Sequence, residues 1–364
     1  MERFQEYFGD LADPRADNSR HELVEILFIA LLASLCGATS CSDMEEFGMA
    51  KEPLLRPILT LEHGIPSHDT FSRVFRLLDP EAFEQAFRGF MSAFAAAAKV
   101  GETKGVVALD GKALRRAYER GQSHMPRVIV TAWGVQTRMT LASMLAPNNN
   151  EAEAALQLIN LLQLKGCVVT ADALHCHRAM AKAIVERGAD YVLAVKGNQP
   201  SLLRDAQAAV AAAGKRLKPA KTKGTAHGRK ERRAAIVVPA ANMAGDHDFP
   251  GLAAVARVES RRDSQEPAVR YFLLSKLFDP ERLLDIVRSH WTIENVLHWP
   301  LDVILDEDLA RTRKDNGPAN LAVLRRLALN IARAHPDTKT SLRRKLLRAG
   351  WDQDFLLQLI AHMR

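Results

Sequence analysis

The amino-acid sequence predicts an α/β protein with a mixed β-sheet, an all-helical segment before the sheet and a β-rich insertion within it. Apolar residues recur at intervals of three and four in residues 20–49 and 79–99, which is typical of amphipathic helices. Residues 106–197 then show strand patterns followed by alternating helix and strand patterns, the order found in α/β sheets. The third observation is a group of strand-like runs with no long helix between them, at 234–239, 252–260 and 269–276.

The N-terminal segment, residues 1–99, is predicted to be a helical domain. Asp13-Pro14 and the stretch 64–67 are turn signals that divide its helices. Ser67 or Asp69 is a candidate N-cap for a helix that begins at residue 70. The domain is expected to end where the strand-like pattern begins, near residue 100.

The α/β domain is predicted to comprise residues 100–210 and 277–364, with the basic, β-rich insertion at 211–276. Its later strands are expected to be parallel, because helices separate them. After the insertion, Asp279-Pro280 starts a helical stretch, and Pro300 is expected to kink or end its first helix. The expected strands are 106–110, 127–135, 139–146, 166–172 and 190–197, and the expected helices between them are 151–164 and 177–188.

Composition excludes several classes of protein. The chain has 364 residues, of which 47% are hydrophobic and 26% charged, a globular composition that suggests about two domains. Its longest apolar run, residues 26–38, is too short for a membrane span of about 20 residues. The N-terminus has no apolar signal core, so a cytoplasmic protein without a membrane partner is expected. The four cysteines form no C-x-x-C pair, which argues against a disulfide framework or a zinc ribbon.

The net charge of +7 is distributed unevenly along the chain. Residues 1–95 hold 8 basic against 16 acidic residues, whereas residues 201–235 hold 10 against two and residues 311–364 hold 12 against four. A basic surface attracts polyanions through counterion release, so DNA or RNA is the first partner to consider. The alternative is that the basic runs are solvated faces or loops. The acidic N-terminal segment is better suited to a protein contact or to one local basic face.

Three carboxylates are candidate catalytic residues. Asp110 and Asp172 each stand at the C-terminal end of an apolar strand, where α/β folds gather functional side chains, although an aspartate there can also cap the next helix. Glu294 shares a helix face with His290 and His298, which lie four residues before and after it. Because large apolar residues surround Glu294, we expect its helix to be buried and its carboxylate to need a partner.

Converging carboxylates suit a divalent cation. They repel one another at pH 7 unless a cation neutralises them, and hard oxygen ligands favour Mg²⁺ or Mn²⁺. Two such ions can activate a hydroxyl and stabilise the leaving oxygen in an attack on phosphate. A zinc site at His175, Cys176 and His177 is a weaker alternative, because consecutive residues point in different directions. The chain has no G-x-S-x-G motif of a serine hydrolase.

With these residues assembled, the sequence resembles bacterial insertion-sequence transposases of the ISAs family, which includes the H-repeat proteins associated with Rhs elements. The likeness covers nearly the whole chain, and its main motifs are ALDGKALR (108–115), NEAEAALQLINLLQLKGCVVTADAL (150–174), DYVLAVKGNQPSL (190–202), AHGRKERR (226–233) and HWTIENVLHWPLDVILDED (290–308). The resemblance implies a ribonuclease-H-like core, an N-terminal accessory domain and a DDE triad of Asp110, Asp172 and Glu294. It also implies two Mg²⁺ ions, for which Mn²⁺ can substitute.

The surroundings of Glu294 depart from the family pattern. Thr292 stands where we expect Gly, and His177 where Gln is common. Related transposases have a Tyr, an Arg and a Lys at positions that Val287, His290 and Leu301 occupy here. His290, Arg288 or His298 is therefore expected to contact phosphate instead.

The resemblance implies DNA transposition and recombination: Mg²⁺-dependent cleavage of element ends and transfer to target DNA by a homodimer bound to double-stranded DNA at the bacterial nucleoid. The alternative is a transposase-derived DNA-binding protein without cleavage activity, and a third possibility, an accessory module for protein contacts, suits the N-terminal 95 residues better than the whole chain.

Some candidate phosphate contacts have an equally good interpretation as turn or cap residues. These four are Lys112, Lys196, Asn198 and Gln199. The candidates for holding DNA across the insertion are Arg229, Arg232 and Arg233, with His290 and His298 beside Glu294.

Overall fold

The computed structural model describes residues 1–15, 19–97, 105–118, 125–213, 217–226, 229–240, 243–263 and 266–361. Its N-terminal part is helical. The helices are α1 (Glu2–Phe8), α2 (Leu23–Leu35), α3 (Cys41–Leu55), α4 (His68–Leu77) and α5 (Pro80–Ala97). Among the described helices, none is both long and apolar enough to cross a membrane.

Local sequence signals explain where these helices begin and end. The periodic stretch 20–49 forms two helices and not one, because Gly37 adopts a left-handed φ of 93° after α2. Ser40 then caps α3 in a capping box with Asp43. Ser67, one of the two predicted caps, accepts a hydrogen bond from the Thr70 backbone N–H at the start of α4.

The described strands form one mixed sheet of nine strands in the order β3-β2-β1-β4-β5-β9-β8-β7-β6. Strands β1, β4 and β5 are parallel to one another, and every other neighbouring pair is antiparallel. Strands β6 to β9, which follow the lysine-rich segment, therefore extend the same sheet through the pairing of β9 with β5. The strands are β1 (Val106–Leu114), β2 (Arg127–Gly134), β3 (Met139–Leu145), β4 (Val168–Ala171), β5 (Asp190–Val195), β6 (Ala220–Ala226), β7 (Arg229–Pro239), β8 (Ala254–Arg262) and β9 (Ala268–Leu274).

Helices cover both faces of the sheet. One face packs against α6 (Glu151–Leu161), α7 (Arg178–Glu186), α8 (Pro200–Ala213) and α9 (Met243–Asp246). The other face packs against α10 (Pro280–His290). Three helices complete the C-terminal part after α11 (Trp299–Val303), namely α12 (Gly317–Ala334), α13 (Leu342–Trp351) and α14 (Gln353–Ile360).

The expectation that Pro300 ends the helix that starts at Asp279 is wrong. Helix α10 ends earlier, at His290, and Ile293–His298 form a π-helical turn before α11. Pro300 is the second residue of α11, where its missing N–H is not needed for a helical hydrogen bond. The interruption therefore falls at the residues that carry Glu294.

Helix α12 joins the helical part of the chain to the sheet. Its apolar residues, among them Leu324 and Leu327, pack in one core with α2 and α5. On the sheet side, the buried Asn330 amide accepts from the Thr140 backbone N–H at 2.9 Å and donates to the Thr140 carbonyl at 2.8 Å. Since β3 is an edge strand, the Asn330 side chain takes the place of a neighbouring strand at this position.

The Asn330 contact gives a stability prediction. Asn330→Ala removes both hydrogen bonds and leaves the Thr140 backbone groups buried without partners, so we expect a loss of about 2 to 4 kcal/mol in the free energy of unfolding. Denaturant unfolding followed by circular dichroism measures it. Asn160→Ala, at an exposed position of α6, is the control and should change stability by less than about 0.5 kcal/mol. Equal effects of the two substitutions would contradict the role given to Asn330.

Candidate active site

Asp110 and Asp172 meet at one edge of the sheet because β1 and β4 pair in parallel and in register. Leu109 lies opposite Ala171, and each aspartate is the next residue along the chain. Strand β4 ends before Asp172, as predicted, whereas β1 continues past Asp110 to Leu114, so Asp110 lies within a strand and not at its end. The Asp110 carboxylate accepts from the Gly111 N–H at 3.0 Å. Asp172 accepts from the Leu174 N–H at 2.9 Å, so it also caps the short turn that follows β4. Asp172 is therefore both a capping residue and a candidate site residue.

Glu294 reaches the same place from the π-helical turn. It lines a cavity of about 210 Å³ together with Asp110 and Asp172. Contrary to expectation, Glu294 is solvent-exposed and is not buried among apolar residues, and Trp299 beside it is 57% exposed. The structure thus brings the three candidate carboxylates to one open-mouthed cavity.

The three carboxylates repel one another. Burial, with the charges of Glu294 and Asp172 next in importance, raises the pKa of Asp110 to about 7. Partial desolvation also raises the pKa of Glu294, while Arg270 lowers it. An all-oxygen donor set of like charge fits a hard divalent cation. In the conformation described, however, no three of the described His, Cys, Asp or Glu side chains are close enough together to enclose an ion.

The two histidines are partly buried, and His290 lines the cavity of the three carboxylates. His290 Nδ1 is 3.0 Å from the Thr170 hydroxyl, and burial lowers the pKa of His290 to about 4. His298 Nδ1 is 3.6 Å from the Asp110 carboxylate, and burial together with Arg326 lowers its pKa to about 3. Both imidazoles are therefore neutral at pH 7, and neither supplies the positive charge that a phosphate contact was expected to use.

Lys112 forms ion pairs with carboxylates other than the three candidate catalytic acids. Its ammonium is buried and lies 2.6 Å from Asp302, 2.8 Å from Asp308 and 3.5 Å from Glu307. Glu307 in turn pairs with the buried Arg326 at 2.8 Å. The expected phosphate contact of Lys112 does not agree with this burial, because the ammonium is fully used inside the protein.

The residues after β5 divide into two roles. Asn198 donates to the Ala173 carbonyl at 2.8 Å, and Gln199 donates to the Cys176 carbonyl at 3.1 Å. These amides hold the segment that follows Asp172, so they position the site, and each uses one of its two N–H donors to do so. Lys196 is exposed and lines the cavity with the three carboxylates.

A basic groove adjoins Glu294, lined by Arg233, Arg262, Arg270, Arg288 and Trp291. The acids Glu231, Glu266 and Asp285 also line it, and Arg233 and Arg262 pair with Glu231 at 3.0 and 3.3 Å. Arg233 faces this groove, whereas Arg232 is the next residue of an alternating strand and faces the opposite side of the sheet. The backbone of Arg229 pairs with Ala226, and its side chain lies outside the described part of the structure.

Arg262 and Arg270 line this groove but were not among the DNA-binding residues predicted from the sequence. The guanidinium of Arg270 lies 4.7 Å from the centre of the Trp291 ring. Arg262 lies in the strand pattern of β8 and Arg270 in that of β9. The alternation of side chains along each strand would have placed both arginines on the sheet face that packs against the apolar residues of α10.

The alternative zinc ligands have separate roles. His175 and Cys176 are each 1% exposed, and burial raises the pKa of the Cys176 thiol to about 12. His177 Nδ1 accepts from the Met180 N–H and caps α7. Among the described residues, these side chains do not form a metal-binding group.

Comparison with known proteins identifies the class. A model of the family described as "Transposase DDE domain" matches residues 101–331, and one described as "DDE_Tnp_1-associated" matches residues 5–91. The chain belongs to the DDE transposase family. It is 30% identical over 377 aligned residues to "Putative protein YbfL" of Escherichia coli K12, with 99% of this chain and 98% of YbfL covered.

Two further relatives and one solved structure complete the comparison. "H repeat-associated putative transposase YhhI" of E. coli K12 is 29% identical, with 99% and 98% coverage, so the chain is a DDE transposase of this H-repeat type. An "Uncharacterized protein in dhlA 3'region" of Xanthobacter autotrophicus is 38% identical over 75% of this chain and 95% of its own length. The cryo-EM structure of a piggyBac transposase synaptic complex aligns over all of this chain and 80% of its own, with 12% identity and a TM-score of 0.48.

The raised pKa of Asp110 gives a pH prediction. The folded-state pKa of about 7 exceeds the ordinary aspartate value of 3.8, so the protonated form favours folding and stability falls as the pH rises from about 4 to about 7. Asp110→Asn removes this penalty. We expect the variant to exceed the unchanged chain in unfolding free energy by on the order of 3 kcal/mol at pH 8, and by much less at pH 5.

Denaturant unfolding in the presence of a chelator at the two pH values measures this difference. Asp285→Asn, at an exposed position of α10, is the matched control and should shift both values alike. A pH-independent effect of Asp110→Asn would show that the carboxyl is not under the repulsion described.

Proposed function

We propose that this protein is an active transposase that binds the ends of its DNA element, cuts them in a metal-dependent reaction and joins them to target DNA. The observation that carries the proposal is the cavity shared by Asp110, Asp172 and Glu294, with the basic groove beside it. The mixed sheet, with the two aspartates side by side on adjacent parallel strands, supports a ribonuclease-H-like core. Family membership supports the reaction class.

The three carboxylates would hold two Mg²⁺ ions, or Mn²⁺ in their place. Bound there, such ions activate an attacking hydroxyl and stabilise the departing oxygen. The protein's own part is to supply ionised oxygens: Asp110 loses its proton readily near pH 7 once a positive charge offsets Glu294 and Asp172. His290 is held at the cavity by its contact with the Thr170 hydroxyl, and His298 lies beside the Asp110 carboxylate; burial keeps both imidazoles neutral.

The same site serves two successive phosphodiester displacements. In the first, the oxygen of water forms a bond to phosphorus and the bond to the 3′ oxygen breaks, which leaves a 3′-hydroxyl. In the second, that hydroxyl attacks a phosphate of the target strand, and the target's own 3′ oxygen leaves. Neither step needs a covalent bond to the protein, which agrees with a cavity lined by carboxylates, Lys196 and Arg270.

The proposed partner is double-stranded DNA, both element ends and target. Arg270, Arg233 and Arg262 would hold backbone phosphates along the groove next to Glu294, and Lys196 would do so at the cavity. Because two element ends must be brought together, we propose a homodimer on DNA, acting at the nucleoid. We also propose that residues 1–99 form a helical accessory domain and that residues 211–276 form a basic insertion in the catalytic domain.

The carboxylates are tested by cleavage. We expect Asp110→Asn and Glu294→Gln each to reduce Mg²⁺-dependent cutting of element-end DNA by at least about 100-fold while DNA affinity stays within a few-fold, because ligands are lost but the basic groove remains. Gel assays of nicking and mobility shifts on the same duplex measure both. Glu281→Gln, at an exposed position of α10, is the control and should cut normally.

Variants that still cut would refute the assignment of these carboxylates. If the unchanged chain binds DNA but never nicks a supercoiled plasmid with Mn²⁺, the alternative holds: a transposase-derived DNA-binding protein without cleavage. The altered residues around Glu294, Thr292 and His290 among them, are the sequence feature that would account for that outcome.

The groove is tested by salt dependence. Arg270→Ala should weaken DNA binding at 0.15 M salt by about tenfold and reduce the slope of log affinity against log salt by about one, because one phosphate contact is lost. Fluorescence anisotropy with a labelled duplex measures affinity across salt concentrations. Arg261→Ala, on the opposite face of neighbouring strand β8, is the matched control. An equal slope change in both variants would show that the groove is not the DNA path.

A further inference from the structure

Gly111, the residue after Asp110, lies directly against the carboxyl group of Glu151. A Cβ atom at position 111 would be 2.1 Å from Glu151 Oε2 and 2.9 Å from its Cδ. The Gly111 N–H meanwhile donates to the Asp110 carboxylate. Only the absence of a side chain at position 111 lets the Glu151 carboxyl approach strand β1 this closely.

Glu151 comes to this position from the opposite face of the sheet. It is the first residue of α6, which Asn150 caps, and Ala154, Ala155 and Leu158 bury the helix against the sheet. Alternate residues of β1 face opposite sides, so Gly111 faces α6 while Asp110 faces the side of α10 and Glu294. Helix packing therefore fixes the start of α6 beside Gly111 in β1, at the level where β4 ends.

The position is unfavourable for a carboxylate on its own. Glu151 is near enough to Asp110 and to Asp172 for its charge to repel both. Within the described ranges, no basic side chain pairs with it, and its carboxylate is only half-buried. A half-buried acid placed against two other acids needs an external positive charge.

We infer that Glu151 is a fourth carboxylate of the cation site, contributed from the α6 face opposite Glu294. The inference rests on the proposed function, because the ion that Glu151 would hold is one of those assigned to Asp110 and Asp172. Gly111 then has a definite role: it holds Asp110 through its N–H and leaves room for Glu151 through its bare α-carbon.

The test measures cation binding directly, without the reaction. Isothermal titration of the full-length protein with MnCl₂ should show that Glu151→Gln weakens binding about tenfold or more. Glu153→Gln, an exposed acid on the same helical turn, is the matched control and should bind within about twofold of the unchanged chain. Gly111→Ala keeps every carboxylate but pushes Glu151 aside, so it should weaken Mn²⁺ binding in the same direction.

Three outcomes separate this inference from the proposed function. If Asp110→Asn weakens Mn²⁺ binding and Glu151→Gln does not, Glu151 is not a ligand and the proposed function stands. If the unchanged chain binds no Mn²⁺, or if Asp110→Asn binds it normally, the cation site itself is refuted and the inference with it. If Glu151→Gln does not fold, Glu151→Asp, which keeps the charge on a shorter side chain, must show the weaker binding.

Discussion

The parallel, in-register pairing of β1 with β4 is the constraint on which the candidate site depends. Because Leu109 lies opposite Ala171, the aspartates that follow them emerge side by side at one edge of the sheet. Elements from both faces end or begin at this edge, so Glu294 and Glu151 approach the same pair from opposite sides. Backbone hydrogen bonds thus hold like charges together, and burial first, then the charges of Glu294 and Asp172, raises the pKa of Asp110 to about 7.

Two basic side chains near this cluster are paired with other carboxylates. Lys112 is only two residues from Asp110, yet its ammonium is enclosed by Asp302, Glu307 and Asp308. Arg326 is likewise paired with Glu307. The adjacent histidines are neutral, since burial disfavours their charged forms. Lys196 and Arg270 line the cavity itself, and the charge of Arg270 lowers the pKa of Glu294. A divalent cation would offset the repulsion that remains among the carboxylates.

The sequence predicted the elements better than it predicted the partners of individual side chains. Strands up to β5 have clear apolar runs bounded by polar breaks. Asp110 and Asp172 were identified because each directly follows such an apolar run. Lys112 and His298 were misjudged because proximity to a motif does not specify which face a side chain takes or which charge it meets. Glu151 was missed because an acid in the first turn of a helix has an ordinary explanation in the helix dipole. Its second role appears only in the space that Gly111 leaves.

The continuity of the sheet determines how the basic groove relates to the carboxylates. Val195 lies opposite Tyr271 in the pairing of β5 with β9, so the next positions along that register are Lys196 and Arg270, and both line the cavity. Strands β8 and β7 continue outward by hydrogen bonding, and their alternate residues Arg262 and Arg233 keep the same face. A separately folded insertion could turn relative to the carboxylates. A continuous sheet cannot turn in this way without breaking the hydrogen bonds between its strands. Strand register therefore sets the distance from the arginines and lysine that would hold a DNA strand to the carboxylate oxygens that would act on it.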